Sequence, residues 1–220
     1  MSKREIAKRY ALFIISLFFA ALGVALTKRG ELGVSPSSSC SNVLSIRFPA
    51  ISIGTWLIGW NSLLLIGQIL ILRKKFKPIQ LLQLPLSILF GYFTDFGVWC
   101  VSFIPNDVYT MRLILVVAGT VTLGFGISLA VIANVVMNSA EAFVQAVVDK
   151  TGRIFGNIKI VFDISCVALA IVLSLILFDM TVVGVREGTV IAAILTGLVV
   201  KFFQKRLQKP LGGVLKGRTV

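Results

Sequence analysis

Long apolar runs recur along the chain with almost no charge inside them. Six of these runs have the length of a membrane-spanning helix: residues 10–27, 53–72, 79–103, 111–133, 157–178 and 188–203. A helix of about 18 residues rises about 27 Å, close to the thickness of the hydrocarbon core of a bilayer. The pattern therefore predicts an all-α membrane protein with six transmembrane helices.

The two halves of the chain, residues 1–105 and 106–220, share weak similarity. The equivalent positions are Gly23-Val24-Ala25-Leu26 with Gly126-Ile127-Ser128-Leu129, Gly54 with Gly156, Asn61 with Asp163, and Gly91 with Gly197. Each half contains three spans, and an odd number makes the second half enter the membrane from the opposite side. We therefore predict two inverted three-helix repeats. Chance similarity between two trios of apolar helices is the alternative.

A polar break lies between the first and second spans of each half. In the first break, Ser35 is placed to cap a short helix with Pro36 at its first position. In the second, Asn138 or Ser139 is the cap, Glu141 follows at the third position if Asn138 caps, and Gly152 ends the helix. We predict a short polar or re-entrant helix at each break. Interfacial loop helices are the other interpretation.

Two helix N-termini at matched positions of an inverted repeat indicate a site for a polar or anionic solute, because their unpaired N–H groups carry partial positive charge. The substrate-binding candidates are Ser35, Ser37, Ser38, Asn138, Ser139 and Glu141.

Charged side chains near or within the spans supply the remaining candidates. Asp163 lies inside the fifth span, where an ionised carboxylate needs a partner. Either Lys159, one turn earlier, pairs with it, or Asp163 acts with Lys159 and Asn61 to couple transport to a proton or cation. Lys28, Arg29 and Asp95 are candidates for an outer vestibule; for all three, a position at the membrane interface is the alternative.

Composition and charge add an orientation. The chain is 57% hydrophobic with a mean hydropathy of +0.96, and its net charge of +13 comes from short basic clusters at the ends of the apolar runs. With the N-terminus inside, 17 of the 22 basic residues lie on the cytoplasmic side, including the C-terminal cluster of Lys201, Lys205, Arg206, Lys209, Lys216 and Arg218. Trp56, Trp60 and Trp99 then fall at the outer interface. We expect an inner-membrane protein with both termini cytoplasmic.

Several chemistries are disfavoured. The chain has no histidine, which removes the usual triads, dyads and zinc motifs, and it has no phosphate-binding loop. Cys40, Cys100 and Cys166 are isolated and are interpreted as inert. We expect no enzymatic activity, cofactor, metal or nucleic-acid partner.

Two motifs carry a family resemblance. The segment GVALTKRGELGVSPSSSCSNVLS, with its LGVSP motif, and the late VREGTVIAAILTG, with its REGT motif, resemble the YczE/YitT-like family of small bacterial integral membrane proteins. The serine run after LGVSP departs from the family pattern. The resemblance implies a six-helix inner-membrane protein and a transport role.

The function that best fits these features is a transporter or facilitator of a small polar solute, with an anion as one candidate. The partners are then the lipid bilayer and the solute, and a homodimer is a candidate assembly. The alternatives are a substrate-capture subunit of an importer of the energy-coupling-factor type and a membrane regulator or scaffold without a solute.

The basic asymmetry gives a topology test. Reporter fusions at Val220 and in the loop at Asn106 should report opposite compartments, with Val220 cytoplasmic, because 17 basic residues retain one side of the protein in the cytoplasm. Alkaline phosphatase and fluorescent-protein activities measure this directly. The same compartment for both fusions contradicts the six-span arrangement.

Overall fold

The structure, a computed structural model, describes residues 3–216; Arg218 of the basic C-terminal cluster lies outside them. The described residues form helices and no strand. Eight α-helices follow one another: α1 (Lys3–Gly30), α2 (Ser39–Arg47), α3 (Ile53–Leu72), α4 (Gln83–Val101), α5 (Tyr109–Ala133), α6 (Ser139–Thr151), α7 (Phe155–Leu177) and α8 (Glu187–Lys216). Short 3₁₀ turns cover Pro36–Ser38, Arg73–Lys75 and Pro78–Leu82.

Six of these helices, α1, α3, α4, α5, α7 and α8, are long and apolar enough to cross a membrane, as predicted. The helix ends differ from the predicted spans. The first helix begins at Lys3 rather than Tyr10, and the last continues to Lys216 with Pro210 inside it. Apolar runs mark only the part of a helix that lipid can surround, whereas charged residues extend a helix into water without ending it.

Each half of the described chain has the same order of helices. A long helix is followed by a short one and then by two long ones, so that α2 and α6 occupy matched positions. Both short helices are the predicted ones, and Gly152, with φ of +68°, ends α6 as expected.

The centre of the fold is the antiparallel pair of α1 and α5. A Cβ atom added to Gly23 would lie 2.7 Å from the Gly119 carbonyl oxygen, and one added to Gly126 would lie 2.8 Å from the Ser16 carbonyl oxygen. The two backbones are therefore in direct contact, which only small residues permit. This interface also buries Ala20, Ala21, Val24 and Thr27 almost completely.

The other helices make corresponding contacts on the two sides of this pair. On one side α4 packs against α1, and on the other α8 packs against α5. The short helices cross between the halves, because α6 packs against α3 and α2 packs against α7. The two halves differ in the contact between their last two long helices. In the first half α3 and α4 form a packed interface, whereas in the second half α7 and α8 do not.

Two pairs of glycines show this difference at the level of atoms. A Cβ on Gly91 would lie 2.7 Å from the Gly54 carbonyl oxygen, so α3 and α4 are in backbone contact there. The glycines that the sequence comparison aligns with them, Gly156 in α7 and Gly197 in α8, have no atom within 4 Å of an added Cβ. The described structure therefore contains no backbone contact at these two glycines like the one between α3 and α4.

The α1–α5 contact gives a stability test. We expect Gly23→Ala to lower the unfolding free energy by about 1–3 kcal/mol, because the new methyl group meets rigid backbone of α5. Thermal unfolding in a mild detergent measures the change. Gly59→Ala is the control, since its Cβ enters open space and a helical alanine is favoured over glycine by about 1 kcal/mol. Equal stability of the two variants contradicts this packing.

Candidate functional site

A cavity of about 780 Å³ lies between the two halves, beside the α1–α5 pair. It is bounded by residues from every long helix, from the turn before α2 and from α6. The cavity brings together most of the predicted site residues: Ser35, Ser37, Ser38, Asn61, Asn138, Glu141, Lys159 and Asp163. Ser139, Lys28, Arg29 and Asp95 lie elsewhere.

The first break reaches the cavity because its backbone is fixed against α8. Gly33 has φ of +104°, which favours glycine, and a Cβ there would collide with Thr189. The amide of Gly188 donates a hydrogen bond to the Leu32 carbonyl oxygen at 2.8 Å. These contacts direct the chain from the end of α1 back towards the centre of the protein, where Ser37 lines the cavity.

The cap of the first short helix differs from the prediction. Ser35 occupies the position before the helix and Pro36 follows it, but the Ser35 side chain caps no backbone N–H group. Instead Ser35 Oγ donates to Ser38 Oγ at 3.1 Å, and Ser39 Oγ donates to the Ser35 carbonyl at 3.1 Å. The cause is the tight 3₁₀ turn at Pro36–Ser38, closed by the bond from the Ser38 amide to the Ser35 carbonyl at 3.0 Å.

The second break begins at Asn134, whose left-handed conformation ends α5. Asn138 precedes α6, and its side-chain oxygen accepts a hydrogen bond from the Ser139 amide at 3.1 Å. Asn138 is therefore the capping residue of the two candidates. Glu141 occupies the third helical position, but one of its carboxylate oxygens, Oε2, is buried without a hydrogen-bond partner among the described residues.

Ser139 does not line the cavity, in contrast to its predicted role. Its side chain approaches Ser87 at 3.3 Å, and its carbonyl accepts a hydrogen bond from Gln68 at 3.3 Å. Gln68 and Gln83 in turn exchange two amide hydrogen bonds of 3.0 and 3.1 Å while almost fully buried. This buried network holds the start of α6 against α3 and α4.

That network is absent from the sequence-based predictions. A usable signal exists, because Gln68 and Gln83 are amides at the facing ends of two consecutive apolar runs. Two buried amides can satisfy each other when the runs are antiparallel neighbours, which a short connection favours.

Asp163 and Lys159 form the predicted ion pair. Lys159 Nζ lies 2.5 Å from Asp163 Oδ1, one helical turn apart, and each side chain is about a quarter exposed, at 27% and 26%. Asn61, from α3, lines the same cavity and is 7% exposed. The cavity thus brings together the residues of the predicted coupling group.

The predicted vestibule residues serve other contacts. Lys28 donates to Ser45 Oγ at 2.6 Å, and Arg29 donates to the Ile104 carbonyl at 2.8 Å. Asp95 accepts hydrogen bonds from the Gly54 amide at 2.8 Å and from Ser52 Oγ at 2.6 Å. Asp95 and Arg29 thus supply partners for backbone groups at the start of α3 and just after α4, because helix ends leave such groups unpaired. Lys28 instead links α1 to α2 through the Ser45 side chain.

Polar residues absent from the prediction also line the cavity: Ser16, Asn134, Gln145 and Thr196. Gln145 could have been found, since it lies one helical turn after Glu141 on the same face of α6. Ser16 and Thr196 carry no such signal, because a hydroxyl inside an apolar helix often bonds its own backbone, as Ser16 and Thr196 both do.

The described residues bring together no group of three metal-ligating side chains. The arrangement is a large cavity with mainly apolar walls, a few polar groups and three charged side chains, inside a helical bundle of membrane-spanning length. Such a cavity is suited to hold a small organic molecule. The protein is therefore a multi-pass membrane protein with an internal cavity.

Comparison with known proteins identifies the family. The chain belongs to the family of unknown function DUF6198, whose model matches residues 7–205. It is similar to the uncharacterized membrane protein YczE of Bacillus subtilis (strain 168), with 27% identity over 202 residues, or 91% of this chain and 87% of that protein. The resemblance predicted from LGVSP and REGT is thereby confirmed. No solved structure gives a significant match.

The ion pair in the cavity gives a double-mutant test. Lys159→Met alone should lower the unfolding free energy by about 2 kcal/mol, because it leaves a carboxylate without its partner beside apolar walls. Adding Asp163→Leu should restore most of that loss. Thermal unfolding of both single variants and the double variant measures the coupling, and additive losses contradict a structural pair.

Proposed function

We propose that this protein is a membrane transporter that moves a small polar solute by exposing its central cavity to one side of the membrane and then to the other. The observation that carries the proposal is the difference between the two glycine pairs. The α3–α4 pair is closed at Gly54 and Gly91, whereas α7 and α8, the pair that the proposed repeat makes equivalent, form no packed interface and have open space at Gly156 and at Gly197.

The proposal depends on an inverted repeat, and the contacts of α1 and α5 support one. Gly23 approaches the carbonyl of Gly119 and the amide of Leu123. A shift of 103 residues aligns Gly23 with Gly126, Ser16 with Gly119 and Ala20 with Leu123. Gly126 approaches the carbonyl of Ser16 and the amide of Ala20, so the two glycines make equivalent contacts. A twofold axis in the membrane plane, passing between α1 and α5, relates two such sets.

The two short helices fit this arrangement as re-entrant segments. Their N-terminal ends meet the cavity through Ser37 and Asn138, while their other ends lie at Arg47 and Thr151. Neither is long enough to span a bilayer. In inverted-repeat transporters, discontinuous helices of this kind bring backbone polar groups to the solute near the midplane.

Closed and open pairs of equivalent helices are what alternating access requires. In one state the α3–α4 contact seals the cavity from one side, and the gap between α7 and α8 admits solute from the other. Exchange of the two arrangements would close Gly156 on Gly197 and open Gly54 from Gly91. With the orientation set by the basic clusters, the present state faces the cytoplasm.

Asp163 is the proposed coupling residue, with Lys159 and Asn61 beside it. Its carboxylate lies in the cavity near the gap between α7 and α8, so protonation would release Lys159 and alter the charge at that opening. In flux assays, Asp163→Asn should abolish pH- or cation-driven transport and preserve solute exchange. Coupled flux in the Lys159→Met, Asp163→Leu double variant would exclude this role.

The open glycine pair gives an experiment that requires no known solute. In a background lacking Cys40, Cys100 and Cys166, Ser37→Cys is labelled with a membrane-impermeant trimethylammonium methanethiosulfonate in right-side-out and inside-out vesicles. The parent should react from both sides. Adding Gly197→Leu or Gly156→Leu should lower the rate from the outside at least tenfold and retain the rate from the cytoplasm, because a side chain in the gap prevents closure.

Gly59→Leu is the matched control, since it also places a side chain in open space but outside the cavity. It should change neither rate. Unchanged outside labelling in both gap variants contradicts the proposed gate, and a parent that reacts only from the cytoplasmic side contradicts alternating access altogether. Thermal unfolding verifies that each variant is folded.

A substrate-capture subunit of a multi-component importer is the second candidate. It is favoured by α7 and α8, which are the least packed of the six spans, with 17% of each apolar window buried. That surface is available to a partner or to a second copy of the chain. Purified protein in liposomes separates the two functions, because a capture subunit binds solute without moving it.

A further inference from the structure

The charges in the cavity determine which solutes it can hold. Three charged side chains line it: Glu141, Lys159 and Asp163. Lys159 and Asp163 lie 2.5 Å apart and balance each other. The remaining charge is the carboxylate of Glu141, so the lining as a whole carries one excess negative charge.

Glu141 is the charged side chain of the lining that has no ion pair among the described residues. It lies in the first turn of α6 and lines the cavity, and its Oε2 is buried without a hydrogen-bond partner among the described residues. A buried carboxylate oxygen without a partner is costly. Rotation of the carboxylate into the cavity, beside a positive charge on the solute, would compensate this cost.

The same residue disfavours an anion. The N-terminus of α6 carries partial positive charge and would otherwise attract one. Glu141 already places a carboxylate in that first turn, and a carboxylate there is stabilised by the helix dipole. An anionic solute near α6 would therefore meet a negative charge rather than unoccupied N–H groups.

The walls of the cavity favour an organic cation over a bare metal ion as the solute. Metal ions such as Ca²⁺ need six to eight oxygen ligands, and no group of three metal-ligating side chains comes together among the described residues. The walls are instead mainly apolar and partly aromatic, with Phe13, Leu17, Leu57, Phe90, Leu123 and Phe155 among them. A volume of about 780 Å³ fits an organic molecule.

We infer that the cavity binds an organic ammonium compound with an apolar body, whose positive charge pairs with Glu141. Binding of this compound does not require the proposed function; only the claim that the protein transports it rests on that function. A positively charged nitrogen is found both in free organic cations, as protonated amines and quaternary ammonium compounds, and in the quaternary headgroup of choline lipids, and aromatic walls favour either source.

Calorimetry on the purified full chain in maltoside detergent tests the inference with three matched probes. Benzyltrimethylammonium is the cation, phenylacetamide the neutral compound and phenylacetate the anion. The cation should bind at least tenfold more tightly than the other two. Glu141→Gln should weaken its binding about tenfold, because the amide keeps the shape of the side chain and loses its charge.

Two further variants sharpen the test. Lys159→Met should strengthen binding of benzyltrimethylammonium, because it frees the carboxylate of Asp163. Glu31→Gln is the control: Glu31 pairs with Arg112 at 3.6 Å, half-exposed and outside the cavity, and its replacement should leave the affinity unchanged. Tighter binding of phenylacetate than of the cation, or equal affinity of the parent and Glu141→Gln, overturns the inference.

Dihexanoylphosphatidylcholine serves as the lipid probe. Binding of benzyltrimethylammonium or of the lipid with the same dependence on Glu141 supports the inference. Tighter binding of the first identifies a free organic cation as the source, and tighter binding of the second identifies a lipid headgroup. Equilibrium binding is measured without flux. A protein that binds the cation and moves nothing overturns the transport proposal alone, whereas one that transports solutes but prefers phenylacetate overturns this inference alone.

Discussion

The close approach of α1 and α5 is the contact on which the rest of the fold depends. In a bilayer, apolar side chains gain little by leaving lipid for another helix, so association requires tight packing of small residues. Gly23, Gly119 and Gly126 allow the two backbones to touch. Once this pair is fixed, α4 and α8 pack on its two flanks, and the short helices α2 and α6 reach across to the opposite half.

Polar groups inside this bundle are arranged by the same constraint of low polarity. Gln68 and Gln83 satisfy each other's amides, and Asp95 satisfies the start of α3. Lys159 and Asp163 balance each other at the edge of the cavity. Glu141 is the charged side chain of the cavity lining that has no ion pair in the described part of the chain. One of its carboxylate oxygens is among the buried polar atoms without a hydrogen-bond partner, together with atoms of Ser41, Asn42, Trp56, Trp60, Gln80 and Thr189.

The proposed transport cycle needs two arrangements of similar energy. The α3–α4 interface combines backbone contact at Gly54 and Gly91 with packed side chains and with hydrogen bonds from Asp95 and between Gln68 and Gln83, all of which the proposed opening has to exchange. Gly156 and Gly197, aligned with the first glycine pair in the proposed repeat, leave room for a contact to form. The proposed cycle therefore exchanges one backbone contact for another around a fixed central pair, and the cavity changes the side to which it opens.

The amino-acid sequence by itself determined the class of protein, the six spans and the two short helices, because apolar length and capping residues act locally along the chain. It also predicted the Lys159–Asp163 pair, since one helical turn separates the two. The tertiary structure decided the rest. Ser139 and the predicted vestibule residues lie away from the cavity because partners 17 to 75 residues away in sequence take up their polar groups. The amide pair of Gln68 and Gln83 and the lack of a packed α7–α8 interface in the described structure depend on which helices become neighbours. No local pattern encodes that choice, because it follows from the packing of α1 on α5.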